Sequence, residues 1–115
     1  MNDTFSIENL SKMSKPNWET RKWNRPTIQM TTSNLNPNLI GIAEFNYQGL
    51  QIRGLRIYNC NDGTLRVSMP QKRFGEGMAM VTYFKNPADQ TLLYQDVAWL
   101  WLAIFGTKLN SNNNS

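Results

Sequence analysis

Arg53, Arg56 and Arg66 are the residues whose type and spacing carry the most chemistry in this sequence. They lie in two segments with strand character, Leu50 to Tyr58 and Thr64 to Met69. In the first segment the apolar alternation slips: Leu50 and Ile52 share one parity, Leu55 and Ile57 the other, and Gly54 sits at the slip. A one-residue bulge at Gly54 returns all four apolar residues to one face, at a place where a strand tolerates glycine. Arg53 and Arg56 then point away from the core, Arg66 does so from the next strand, and Tyr58 lies beside them. Such a face is suited to a polyanion, because guanidinium groups pair phosphate oxygens through two hydrogen bonds and a tyrosine ring stacks on a base. Lys72 and Arg73 extend the same basic edge into the loop that follows. A solvated sheet face, with long arginine stems covering apolar surface, accounts for the same pattern. A second set lies near the N-terminus, where Trp18 and Trp23 interleave with Lys15, Arg21, Lys22 and Arg25. It suits an auxiliary arm for a single strand of nucleic acid, or else tryptophans that cover another part of the fold.

Other chemistry is harder to build from these residues. The sequence has no His, so the commonest general base near neutral pH and the commonest transition-metal ligand are both missing. Its single cysteine, Cys60, falls in the turn Asn59-Cys60-Asn61-Asp62-Gly63, with no second thiol to pair with and no base to activate it. Glu44, Asp62, Glu76, Asp89 and Asp96 show no paired spacing for acid–base work or for a metal. Gly75-Glu76-Gly77 lacks the lysine and the strand-to-helix setting of a phosphate loop. The expectation is a binding protein rather than an enzyme, with no cofactor, no metal and no small-molecule substrate. The formal charge of +4 favours acidic partners. Neither a leader pattern nor an apolar run of the ~18 residues needed to span a bilayer is present, so a cytoplasmic setting without membrane contact is expected.

The elements that must position the arginines follow from periodicity and turn residues. The 115-residue chain has room for one domain. Residues 1–26 read as a basic, Trp-bearing arm in which Ile7, Leu10 and Met13 stand at helical spacing. Residues 27–106 read as an α+β domain, and 107–115 as an Asn-rich disordered tail. Within the domain, strands are expected over Thr27 to Thr32, Leu39 to Asn46, Leu50 to Tyr58, Thr64 to Met69 and Met78 to Phe84. Hairpin turns are expected at Tyr47-Gln48-Gly49 and Asn61-Asp62-Gly63. These form an antiparallel meander packed against one long apolar C-terminal helix, with Asn86 as its cap, Pro87 at its first position and Gly106 as its end.

From Val97 to Phe105 every residue of that helix is apolar. Trp99 and Trp101 project roughly 200° apart around its axis, so one sheet does not cover both. Leaving a tryptophan in water forgoes burial of about 150–250 Å², roughly 4–6 kcal/mol as an upper bound. Either the N-terminal arm or a second copy of the chain supplies the missing cover. A homodimer with Trp99, Trp101, Leu102 and Phe105 at its interface is the favoured expectation.

The stretch Gln51-Ile52-Arg53-Gly54-Leu55-Arg56-Ile57-Tyr58, leading through Asn61-Asp62-Gly63 into Leu65-Arg66-Val67-Ser68-Met69-Pro70-Gln71-Lys72-Arg73, resembles the bacterial SpoVG (stage V sporulation protein G) family. The similarity runs from about Thr27 to Gly106. The resemblance implies a homodimeric α+β fold and a regulatory protein that binds DNA and, in some members, RNA. The chain departs from the family in three places. The first turn of the helix, Asn86-Pro87-Ala88-Asp89-Gln90-Thr91, lacks basic residues apart from the preceding Lys85; the helix is more apolar; and the arm before Pro26 has no counterpart. An alternative expectation is a protein–protein interaction module that uses the apolar helix and the arm without nucleic acid.

Overall fold

Thr4–Ser6 (β1), Ile7–Ser11 (α1), Thr27–Met30 (β2), Leu39–Tyr47 (β3), Leu50–Asn59 (β4), Thr64–Ser68 (β5) and Pro87–Asn113 (α2) follow one another along the chain. They belong to a computed structural model that describes residues 3–31, 35–69 and 86–113, with side chains as far as Gly106. All strand pairs are antiparallel, in the order β1-β5-β4-β3-β2. The inner face carries Phe5, Ala43, Phe45, Ile52, Leu55, Ile57, Leu65 and Val67, all buried, against Leu93, Val97, Ala98 and Trp101 of α2. This is the α+β architecture that the apolar periodicity predicts.

Turn chemistry sets the register. Gln48 (φ 51°) and Gly49 (φ 88°) both take left-handed backbone in the two-residue β3–β4 connection, the geometry whose twist matches the flanking strands. Leu50, at the hairpin tip, remains 45% exposed instead of joining the core as expected, while Ile52, Leu55 and Ile57 are buried. Ala43 pairs with Leu55 and Glu44 with Arg53, so Gly54, at φ 86°, is the bulged residue. The next hairpin is held by Asp62, whose Oδ1 accepts from both the amide and the hydroxyl of Thr64 at 3.1 and 2.6 Å.

The start of α2 follows its sequence signals. Asn86 Oδ1 accepts from the Ala88 amide at 3.0 Å, and Pro87 opens the helix. Its end does not: Gly106 is buried, has no left-handed backbone, and the helix continues to Asn113. Without the left-handed turn that closes helices at glycine, a glycine costs a helix interior only about 1 kcal/mol. The strand expected over Met78 to Phe84, and the Gly75-Glu76-Gly77 segment, lie outside the described residues.

The N-terminal segment packs on the fold along its whole described length. β1 adds a fifth strand through Phe5↔Leu65, an element too short for its alternation to stand out in the sequence. Ser6 caps α1 by accepting from the Asn9 amide, and Leu10 is 1% exposed. Met13 supplies the carbonyl that accepts from Trp99 Nε1 at 3.3 Å. Trp101 is 2% exposed in the single chain. Its Nε1 donates to the Ile40 carbonyl, and it lies so close to β3 that a Cβ on Gly41 would stand 2.7 Å from its ring. Both tryptophans of α2 are therefore partnered within one chain. The step from their opposed directions to a second copy loses its ground, because the chain's own N-terminus supplies the cover. Of the expected interface residues, Trp101 is buried in its own chain and Trp99, Leu102 and Phe105 are half-buried; the exposed residues of this turn are Ala103 and Ile104, neither of them among those expected.

Candidate nucleic-acid interface

The bulge decides which way the arginines point. With Gly54 unpaired, β4 presents Arg53 and Arg56 on the face opposite Ile52, Leu55 and Ile57. Cross-strand rows then span this outer face. One reads Thr27, Glu44, Arg53; the next reads Gln29, Ile42, Arg56, Ser68; the third reads Leu39, Tyr58, Arg66, Thr4. All three arginines are exposed, while Tyr58 is half-buried beneath Arg66, whose guanidinium carbon lies 5.2 Å from the ring centroid.

Two carboxylates temper the charge. Arg53 Nε lies 3.2 Å from Glu44 Oε2, with the two side chains 79% and 42% exposed, and Arg66 Nε lies 3.9 Å from Asp3 Oδ2. Exposed pairs of this kind contribute about 0–1 kcal/mol and yield readily to a phosphate. Arg56 forms no ion pair with any described residue. Between β2, β3 and β4 the outer face dips into a depression of about 400 Å³ lined by Thr27, Gln29, Ile42, Ala43, Glu44, Arg53 and Gly54.

The N-terminal residues expected to assist binding are engaged elsewhere. Arg21 donates through Nε (2.7 Å) and a terminal nitrogen (3.2 Å) to the two oxygens of Asp96, a carboxylate with 0% exposure. Trp23 is buried, donates from Nε1 to the same carboxylate at 3.2 Å, and stacks on Tyr47 with centroids 6.4 Å apart. The hydrogen bond to Asp96 holds the Arg21 guanidinium above its ordinary range. Lys22 binds Asp89 at 2.8 Å, and that hydrogen bond raises its ammonium likewise. Trp18 packs against the core, and its buried Nε1 meets no acceptor among the described residues. Arg25 alone of the five is exposed with no ion pair among the described residues. Arg21 and Trp23 thus serve the fold, a correction whose physical reason is Asp96: a buried carboxylate draws in the nearest donors. Lys72 and Arg73 lie outside the described residues.

Sequence reasoning missed Asp96 and Glu44. The signal for Asp96 was its place in line with Leu93 and Leu100, one residue before an unbroken apolar run. Glu44 was signalled by the Gly54 bulge, which sets it opposite Arg53. Among the described residues no group of His, Cys, Asp and Glu is arranged to hold a metal, and no described helix is long and apolar enough to cross a membrane. Comparison of the chain with known protein families, curated proteins and solved structures gives no match.

Proposed function

We propose that this protein is a SpoVG-like regulatory protein that binds the phosphate backbone of DNA or RNA across the outer face of its sheet. Arg53, Arg56 and Arg66 supply the cationic contacts, Tyr58 a stacking surface, and Lys72 and Arg73 a continuation of the basic edge. The observation that carries this reading is the exposure of all three guanidinium groups on the one sheet face that α2 leaves open. The competing reading, docking of another polypeptide on α2 and the N-terminal segment, has less to work with: Trp23, Trp101 and Leu100 are buried and Arg21 is tied to Asp96. Pairing of two copies would draw on the exposed turn at Ala103 and Ile104, and mass photometry at micromolar concentration tests it.

The deciding measurement is the salt dependence of oligonucleotide binding. Each phosphate neutralised contributes a slope of about −0.9 in log K against log salt on duplex DNA, or −0.7 on single strands. The Arg53→Ala, Arg56→Ala double variant flattens that slope by up to about 2 units. An unchanged slope moves the interface off this face.

A further inference from the structure

The depression at the bulge sets a carboxylate, a guanidinium and an amide around a small floor. Its floor is small and largely free of side chains, because Gly54 and Ala43 sit where β3 and β4 fall out of register, and Ile42 adds an apolar wall. Its volume of about 400 Å³ is that of a small-ligand site. Two charged side chains meet at its rim. Glu44 Oε2 accepts from Gln51 Nε2 at 3.3 Å and lies 3.2 Å from Arg53 Nε as an ion pair, while Glu44 Oε1 accepts from no described residue. Arg53 donates no hydrogen bond to a described residue, which leaves the donors of its two terminal nitrogens available. The exposed ion pair thus presents an unused carboxylate oxygen beside unused guanidinium donors.

We propose that this depression binds a guanine base of a single-stranded DNA or RNA, with Glu44 accepting from its Watson–Crick edge and Arg53 donating to its O6. Guanine is the base that places two adjacent donors, N1–H and N2–H, next to an acceptor, O6. Adenine and cytosine set a ring-nitrogen lone pair against the carboxylate, and thymine or uracil flanks its single donor with two carbonyls. The Gln51 contact, long and exposed, gives way to the second guanine donor. Gln29 lines the opposite side with an amide that both donates and accepts. The inference rests on the nucleic-acid reading above and adds base selection to it: Arg56 and Arg66 hold the backbone, while Arg53, at the bulge, turns to the base.

The test is fluorescence anisotropy of the full chain with labelled twelve-nucleotide strands at ~50 mM salt. The strands are all thymine, or thymine with one central guanine, adenine or cytosine, each made in deoxyribose and ribose forms to separate DNA from RNA. The central guanine tightens binding about tenfold, within the range of a good bidentate base contact, and adenine and cytosine do not. Glu44→Gln abolishes that preference while raising affinity for the all-thymine strand, because a charge that repels phosphate is gone; circular dichroism confirms that the variant is folded. If the strands bind the wild type equally, or if Glu44→Gln keeps the guanine preference, Glu44 and Arg53 are a surface ion pair and the pocket is overturned while the backbone interface stands. Failure of every strand to bind overturns both.

Discussion

Asp96 shows what a single buried charge demands of its neighbours. It has 0% exposure and three hydrogen bonds, two from Arg21 and one from Trp23, which tie the N-terminal segment to the last helix. Removing one partner of a buried pair leaves the other uncompensated, at a cost of about 3–5 kcal/mol, whereas replacing both with apolar groups is often nearly neutral. Arg21→Met therefore destabilises the fold by about that amount in urea denaturation, and adding Asp96→Leu recovers much of the loss. Tyr94 offers a second test. Burial raises its phenol above the ordinary range, although the Gln90 side chain, donating at 2.7 Å, works against that. The unfolded phenol ionises near pH 10, before the folded one, so stability intact below that pH is lost as pH climbs toward the folded value. Tyr94→Phe accordingly loses less stability than the wild type between about pH 9 and about pH 11 in paired urea titrations. Raised Lys22 and Arg21 push the same way in both proteins and cancel in the comparison.

Individual elements differed in how plainly the sequence announced them, for physical reasons. The Gly54 bulge was legible because strand parity has a period of two, so one extra residue inverts every side chain after it. The Gln48-Gly49 turn and the Asn86 cap were legible because their chemistry is local. β1 was not, since three residues show no period and its stability comes from Leu65, about sixty residues along the chain. Gly106 misled because a glycine ends a helix only when its backbone turns left-handed, and here it stays helical. The bulge also supplies a prediction. Gly54→Ala strains a positive φ, costs about 1–2 kcal/mol, and still folds. Deletion of Gly54 leaves Ile52, Leu55 and Ile57 in plain alternation on one face and keeps a cooperative melt, whereas a residue inserted after Gly54 sets Leu55 and Ile57 on the face opposite Ile52, and thermal melting followed by circular dichroism then shows no cooperative transition.

At the scale of the whole molecule, the arginine face was foreseeable from parity alone, and the role of the N-terminal segment was not. Trp99 and Trp101 correctly signalled that α2 needs cover on two sides, but periodicity does not say whether cover comes from the same chain or another. Met13, Leu10, Arg21 and Trp23 answer from within. A chain beginning at Thr27 therefore lacks Phe5, Leu10 and Trp23 from its core and leaves Asp96 buried without partners. Such a truncation loses its cooperative melt and binds a hydrophobic dye, while the full chain does neither.

The contacts that close the molecule join its opposite ends: Arg21 and Asp96 stand 75 residues apart, and Trp99 and Met13 86 apart. Contacts of such long sequence separation form late and slow a fold. A ribosome making this chain releases Arg21 and Trp23 long before it adds the helix that buries them. The nascent N-terminus must wait, basic and aromatic, for a partner not yet synthesised. Folding is completed only after the helix that carries Asp96 has been made, and an early stop before Asp96 yields a protein that never closes.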